Sequence, residues 1–262
     1  MARLPIFCSE PMRVSPSTHE RVPFKLNQSH PMDTAIGATL NASPRLLWFT
    51  ILAAVFIVGA DMASIPFGPY LGLDETFRFT LALLGALSCA FVSSAKPLTG
   101  GTTFGLRVAP RQGWWYWVRV SAVIGAALFV VLLCTGVGLV ALGHPLPEPR
   151  IKSPSEVWPL FLVMCVIAPL SEEVVYRLVF CPPSAALLGA RCCVILNGVV
   201  FAGLHFLYGN PSPENLLGGF ILSWAFLKSE TLVVPVLLHA GGNTCAFLAN
   251  VAYYYWWQGR PL

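Results

Sequence analysis

The chain has 262 residues, of which 56% are hydrophobic and 11% are charged, and its mean hydropathy is +0.68. Soluble domains carry about 25% charged residues, so this composition excludes an ordinary soluble protein and indicates an integral membrane protein. The net charge of +4 is spread over loops and the N-terminal region without a dense basic run, which gives no support to a nucleic-acid partner.

Residues 1–45 are mixed and polar, with several Pro and Ser. They lack the apolar core and small-residue cleavage site of a standard secretory signal. We predict a disordered cytoplasmic arm in this region and assign it no fold.

Apolar segments follow at 46–64, 77–95, 117–143, 157–180, 185–207, 215–228 and 231–257. Roughly 20 apolar residues cross a bilayer core, so most of these segments are long enough to span it. The segment at 215–228 is short, which suggests a tilted or re-entrant helix. We therefore predict an all-α fold, a polytopic membrane helix bundle of about seven transmembrane helices. It divides into N-terminal helices at 46–150 and a second group at 151–257.

The placement of Lys and Arg predicts the orientation of this bundle. The arm and the loop after the second segment are basic, whereas the loop between the first two segments carries no Lys or Arg. Because cytoplasmic loops are enriched in these residues, we expect a multi-pass protein of the plasma (inner) membrane with its N-terminus in the cytoplasm. Arg150 and Lys152 count weakly against this orientation.

Two adjacent carboxylates, Glu172 and Glu173, lie in the apolar segment at 157–180. A charged group at the bilayer centre costs roughly 2.5–3.5 kcal/mol on insertion scales, so the pair indicates a functional site. Glu173 and Arg177 are four residues apart and share a helix face, which predicts an ion pair. Glu172 lies about 100° around the helix and is expected to face a cavity, with Tyr176 as a hydrogen-bond donor to it.

Two further polar clusters at bilayer depth, like the first within the last 100 residues, are His205 and the pair His239 and Asn243, which share a helix face. Each alone is typical of packing or interhelical hydrogen bonding. With Glu172, they are the groups that a buried hydrolytic site requires. A carboxylate and an imidazole can polarise a water molecule, and a second imidazole with an amide can stabilise an oxyanion. The same four side chains are also a candidate set of ligands for one divalent metal, zinc first, that would activate the water instead.

Three short motifs connect these residues: EExxxR, FxxxH and HxxxN. They stand here as EEVVYR from Glu172 to Arg177, FAGLH from Phe201 to His205, and HAGGN from His239 to Asn243. In this order, on three successive hydrophobic regions, they resemble the CPBP family of intramembrane proteases. This is the type II CAAX prenyl protease group, which includes bacterial Abi-type proteins. The resemblance covers roughly residues 155–250, which makes 151–257 the expected catalytic core.

The resemblance implies an α-helical membrane fold with a cavity that opens towards the cytoplasm, and hydrolysis of a peptide bond. Carried over position by position, it implies that Glu172 and His205 activate water. His239 and Asn243 would form the oxyanion site, and Glu173 with Arg177 would hold the motif helix. Relatives have been described as metalloproteases, but a glutamate-driven mechanism without metal fits the same residues, and the sequence leaves both open.

We therefore expect an intramembrane endopeptidase whose partners are the bilayer and a membrane-associated protein or peptide substrate, lipidated in the CAAX case. The main alternative is a non-catalytic immunity or scaffold protein, like those of bacteriocin self-immunity, that uses the same cavity. The intact set of Glu172, His205, His239 and Asn243 counts against it. A transporter with Glu172 as proton carrier is the third class, and the lack of an inverted repeat disfavours it.

Overall fold

The computed structural model describes residues 44–71, 75–95, 107–144, 148 and 150–259, and all regular structure in these ranges is helical. The helices are α1 (Pro44–Leu71), α2 (Glu75–Ala95), α3 (Trp114–Ala141), α4 (Val157–Leu162), α5 (Ala168–Glu173), α6 (Cys181–Leu207), α7 (Pro213–Ser229) and α8 (Val233–Gln258). A first π-helical segment (Val163–Ile167) joins α4 to α5, and a second π-helical segment (Val174–Phe180) joins α5 to α6. The predicted all-α class is confirmed, whereas the predicted arm lies outside the described residues up to position 43.

Every apolar segment predicted from the sequence contains a helix within the described ranges. By length and composition, the stretches at Pro44–Phe67, Trp114–Ala141 and Pro154–Leu207 can cross a membrane, and Thr76–Ala90 is a shorter apolar helix. The chain is thus a helical membrane protein, and the predicted number of about seven spans is approximate.

The helical stretch from Val157 to Leu207 changes its winding near two prolines and is kinked at Gly189, whose φ of 79° and ψ of 162° are not helical. Pro169 has no N–H, and its ring would clash with the carbonyl of Cys165 in a regular helix. Cys165 lies inside the first π segment, where wider winding relieves that clash. The second π segment ends at Phe180, two residues before Pro182. Pro182 cannot donate to the Leu178 carbonyl, and Cys89 Sγ donates to that oxygen over 3.6 Å instead.

A buried core joins α1 and α2 to the second π segment and α6. Its buried members are Ala54, Ile57, Val58, Leu81, Ala82, Cys89, Val175, Tyr176, Leu178, Val179, Phe201 and Leu204. Gly85 permits the closest approach in this core, because a Cβ there would lie 2.6 Å from Val179 Cγ2. The core therefore holds α1 and α2 directly against the part of the chain that carries Glu172 and Glu173.

Glycines also bring α6 and α7 together. A Cβ on Gly219 would lie 2.6 Å from Phe201 Cβ and 3.0 Å from Gly198 Cα, so the two helices meet almost backbone to backbone. Small residues at such contacts are typical of helix packing in membranes. This contact fixes the position of Phe201, which lies at the centre of the polar cluster described next.

Helix α3 is peripheral to the described bundle. Trp117 is its buried residue, packed with its ring centroid 5.5 Å from that of Trp224, whereas side chains such as Val123 and Phe129 are exposed over most of their surface. A helix that is apolar on all sides and exposed to this degree is expected to face lipid.

Candidate active site

Glu172 and Glu173 are the last two residues of α5, between the two π segments, and both are buried. As the four-residue spacing predicts, Arg177 Nε lies 3.1 Å from Glu173 Oε2, and neither side chain has any exposed surface. Arg177 Nη2 also donates to the Gly219 carbonyl over 3.4 Å, and its guanidinium lies 4.7 Å from the centre of the Phe201 ring. Arg177 therefore ties the glutamate-bearing helix to both α6 and α7.

His239 of α8 lies between the two glutamates. Its Nδ1 is 2.8 Å from Glu173 Oε1, and its Nε2 is 3.9 Å from Glu172 Oε2. Because an ionised carboxylate only accepts hydrogen bonds, Nδ1 is assigned as the donor to Glu173. Glu173 therefore orients the imidazole and directs Nε2 towards Glu172, an arrangement in which a carboxylate can also stabilise positive charge on the ring.

The opposite side of Glu172 contacts residues from α1 and α2. Arg78 Nη2 donates to Glu172 Oε1 over 3.4 Å, and Arg78 Nε donates to Asp61 Oδ1 over 2.8 Å. The prediction that Tyr176 donates to Glu172 is wrong: its hydroxyl donates to Asp61 Oδ2 over 2.6 Å. Asp61, which lies on α1, is the acceptor for the Tyr176 hydroxyl in place of Glu172.

Asp61 and Arg78 are the members of this cluster that the sequence reasoning missed, because it sought polar residues at bilayer depth only in the last 100 residues. Both are buried, with 2% and 9% of their surface exposed. A signal for Asp61 was present, since a lone acidic residue in the apolar segment 46–64 carries the same membrane penalty as the glutamates.

His205 and Asn243 lie beside this cluster and are held by backbone carbonyls. His205 Nδ1 donates to the Phe201 carbonyl over 3.0 Å, and the Phe201 ring is in contact with the rings of both His205 and His239, at centroid distances of 4.5 and 5.9 Å. Asn243 Nδ2 donates over 2.7 Å to the carbonyl of Met164 in the first π segment. The structure thus brings Glu172, Glu173, Arg177 and His239 into direct contact and places His205 one aromatic ring away.

The candidate metal ligands do not form a metal cluster in this arrangement. Within the described part of the chain, no three His, Cys, Asp or Glu side chains converge as a set that could hold an ion. Glu172, His205 and His239 are therefore not gathered into a zinc site in this arrangement.

The candidate active site lies in the part of the chain that matches a known protein family. Residues 154–245 match the family model described as "Type II CAAX prenyl endopeptidase Rce1-like". The match confirms the resemblance predicted for residues 155–250, and it contains every residue of the EExxxR, FxxxH and HxxxN motifs. No curated protein matches the chain, and no solved structure matches it.

Proposed function

We propose that the chain is a membrane-embedded endopeptidase that hydrolyses a peptide bond of a membrane-associated protein or peptide. The observation that carries this proposal is the environment of Glu172 Oε2. This atom is buried, accepts no hydrogen bond from the described residues, and faces His239 Nε2 at 3.9 Å. That separation is too long for a direct hydrogen bond, so Oε2 is the unpartnered carboxylate oxygen to which we assign the attacking water.

In the proposed reaction, the water oxygen attacks the carbonyl carbon of the scissile peptide bond as Glu172 takes a proton from the water. The tetrahedral intermediate then collapses, the C–N bond breaks, and the proton on Glu172 passes to the leaving amine. Glu172 thus acts first as general base and then as general acid. His239, supported by Glu173, offers Nε2 to the water or, when protonated, to the developing oxyanion.

The resemblance implies that Asn243 lies at the oxyanion and that His205 acts on the water with Glu172. We assign His205 to the substrate as well, because its ring contacts Phe201 and no contact joins it to Glu172 among the described residues. Each already uses one nitrogen on a backbone carbonyl, Nδ1 in His205 and one Nδ2 hydrogen in Asn243. The remaining His205 Nε2 and the second amide hydrogen of Asn243 are the groups proposed to bind the substrate carbonyl.

Room for a peptide is present one turn beyond His239. Gly241 and Gly242 are exposed, and a Cβ on either would meet no atom of the other described elements within 4 Å. None of the described helices fills this space, and we propose that an extended substrate approaches the backbone of α8 here.

The matched family model supports CAAX-type processing, or cleavage of a related peptide, as the reaction class. A lipidated substrate would reach a buried site from within the bilayer. The Lys and Arg distribution supports a cytoplasmic N-terminus, and we propose the plasma (inner) membrane as the location. A divalent metal remains a prediction that a chelator tests.

The test is cleavage of a peptide library, including prenylated CAAX peptides, by the detergent-purified full chain, read by mass spectrometry with and without a chelator. Glu172→Gln removes the general base, and Glu148→Gln, an exposed glutamate paired with Lys152, is the matched control. We expect cleavage by the wild type and the control, and a loss of at least 100-fold in Glu172→Gln.

Full activity in Glu172→Gln would overturn the assignment of the base. Loss of wild-type cleavage with chelator would add a metal to the site. A wild type that binds but never cleaves prenylated and unmodified peptides alike would favour the non-catalytic immunity or scaffold role.

A further inference from the structure

We infer that Arg78, held by Asp61, is a positioning residue that fixes the carboxylate of Glu172 for proton transfer. This inference rests on the proposed function and extends the site to two helices outside the region that matches the family model. It assigns to α1 and α2 a part in the reaction.

The geometry supports a fixed guanidinium. Asp61 uses both carboxylate oxygens, Oδ1 for Arg78 Nε at 2.8 Å and Oδ2 for the Tyr176 hydroxyl at 2.6 Å. The Arg78 guanidinium also lies 5.1 Å from the centre of the Tyr208 ring. Since Tyr176 follows Glu172 by one helical turn, Asp61 is anchored to the same stretch of chain that Arg78 must reach. Arg78 Nη2 is thereby directed at Glu172.

The contact divides the two oxygens of Glu172 between two tasks. Oε1 accepts from Arg78 at 3.4 Å, which leaves Oε2 on the side of His239 Nε2. Without Arg78, the carboxylate could rotate about its terminal bond, and the oxygen that takes the proton would no longer be held in place. A misplacement of about 1 Å at a reacting group can reduce a rate by about 100-fold.

A purely structural role for the Asp61–Arg78 pair predicts a different outcome. If the pair only holds α1 to α2, its loss should lower stability and affect kcat only through the amount of folded enzyme. A positioning role predicts a lower kcat with an unchanged KM, because a group that only orients Glu172 does not change substrate binding.

The experiment compares Arg78→Gln, Arg78→Lys and Asp61→Asn with the wild type, using the cleavage assay and a thermal unfolding scan of the same preparations. Arg111→Gln, an exposed arginine paired with Glu230, is the control expected to retain wild-type kinetics. We expect Arg78→Gln to lower kcat by about 10- to 100-fold with KM within about twofold. Arg78→Lys, which keeps the charge, should recover most of that loss.

Asp61→Asn keeps the charge of Arg78 and weakens its anchor, so an intermediate loss of kcat is expected. It also provides the readout if Arg78→Gln does not fold. Wild-type kcat in both Arg78→Gln and Asp61→Asn would overturn the inference. Equal losses in Arg78→Gln and Arg78→Lys that follow a fall in unfolding temperature would also overturn it and favour the structural role.

A second measurement does not depend on cleavage. Dicyclohexylcarbodiimide modifies protonated carboxyl groups in apolar surroundings, and mass spectrometry can assign the product to Glu172 or Glu173. Removing the Arg78 charge should increase modification of Glu172 severalfold in Arg78→Gln, with Glu173, paired to Arg177, as the internal control. Unchanged labelling of Glu172 would refute the Arg78 contact, whereas increased labelling in a chain without peptidase activity would refute only the proposed function.

Discussion

At the residue scale, the candidate site is a chain of alternating acidic and basic side chains drawn from distant parts of the sequence. The contacts run in the order Asp61, Arg78, Glu172, His239, Glu173 and Arg177, with successive separations of 2.8, 3.4, 3.9, 2.8 and 3.1 Å. Each buried charge has an opposite or polar neighbour, which is the condition for keeping such groups in an apolar bundle. The widest separation is the one between Glu172 and His239, where the proposed reaction takes place.

A substitution of Arg177 tests whether this series of contacts stabilises the fold. Arg177→Ala leaves Glu173 fully buried without its cation, and breaking a buried pair in this way costs about 3–5 kcal/mol. The free energy of unfolding, measured by denaturant titration in micelles, should fall by that amount. Arg111→Ala, which removes an exposed partner of Glu230, should change it by less than about 1 kcal/mol. Equal effects of the two substitutions would contradict the role of Arg177.

A substitution of His239 tests whether this series of contacts takes part in the reaction. In His239→Asn, the amide nitrogen can replace Nδ1 as donor to Glu173, but nothing replaces Nε2 opposite Glu172. We expect kcat to fall by about 100- to 10,000-fold while the unfolding temperature stays near that of the wild type. His144→Asn, on an exposed loop residue, should leave both quantities unchanged. A His239→Asn enzyme with more than a tenth of wild-type kcat would exclude His239 from the reaction.

The sequence predicted the local part of this site and not the long-range part. The pairing of Glu173 with Arg177 follows from helix periodicity alone, because both partners lie on one turn. Asp61 and Tyr176 are 115 positions apart, and no local period relates them. Since α1 and α2 each carry a single buried charge here, their partner could be found only once the packing of α1 and α2 on the second π segment was known.

At the element scale, two departures from regular α-helix surround the glutamates. The sequence analysis assumed 3.6 residues per turn throughout, so it predicted separate segments at 157–180 and 185–207 and no π segments. The intervening residues 181–184 are helical, because the fixed φ of Pro182 and Pro183 suits the first turn of α6. The first π segment has a direct effect on the site, since it presents the Met164 carbonyl that holds Asn243.

The close contact between α6 and α7 predicts that a larger residue at Gly219 lowers stability. Gly219→Ala places a methyl group 2.6 Å from Phe201 Cβ, so the helices must separate or Phe201 must move. Overpacking of this kind costs about 1–3 kcal/mol, and we expect the free energy of unfolding to decrease accordingly. Because Phe201 touches both histidine rings, kcat should decrease as well.

Gly125→Ala is the matched control for this substitution. Gly125 lies in α3, and a Cβ there would meet no atom within 4 Å, so alanine should be neutral or stabilise by up to about 1 kcal/mol. If Gly219→Ala were as stable as Gly125→Ala, the close approach of α6 and α7 would be wrong.

At the scale of the whole molecule, α3 differs from the other described helices because most of its apolar side chains are exposed. Its exposed apolar side chains predict contact with lipid, so a carbene photolabel dissolved in the bilayer should label the peptide that contains Val123, Phe129 and Val137. The α7 peptide with Leu222, Phe226 and Leu227, each at most 5% exposed, should be labelled far less. In denaturing detergent the two peptides should be labelled equally. Protection of α3 in the native membrane would instead show that another protein surface covers it.

The contacts of Arg78 and Asp61 limit how this site can be transplanted. A chimaera that takes only residues 154–245 from this chain would carry Glu172 and Tyr176 into a host bundle without the two side chains that hold them. In such a host, Glu172 would lack the positive charge of Arg78, and its carboxylate could rotate freely. The smallest segment that can be transferred with its site intact therefore begins with α1. A shorter segment requires a host protein that has an acidic residue and an arginine at the same two depths in the membrane.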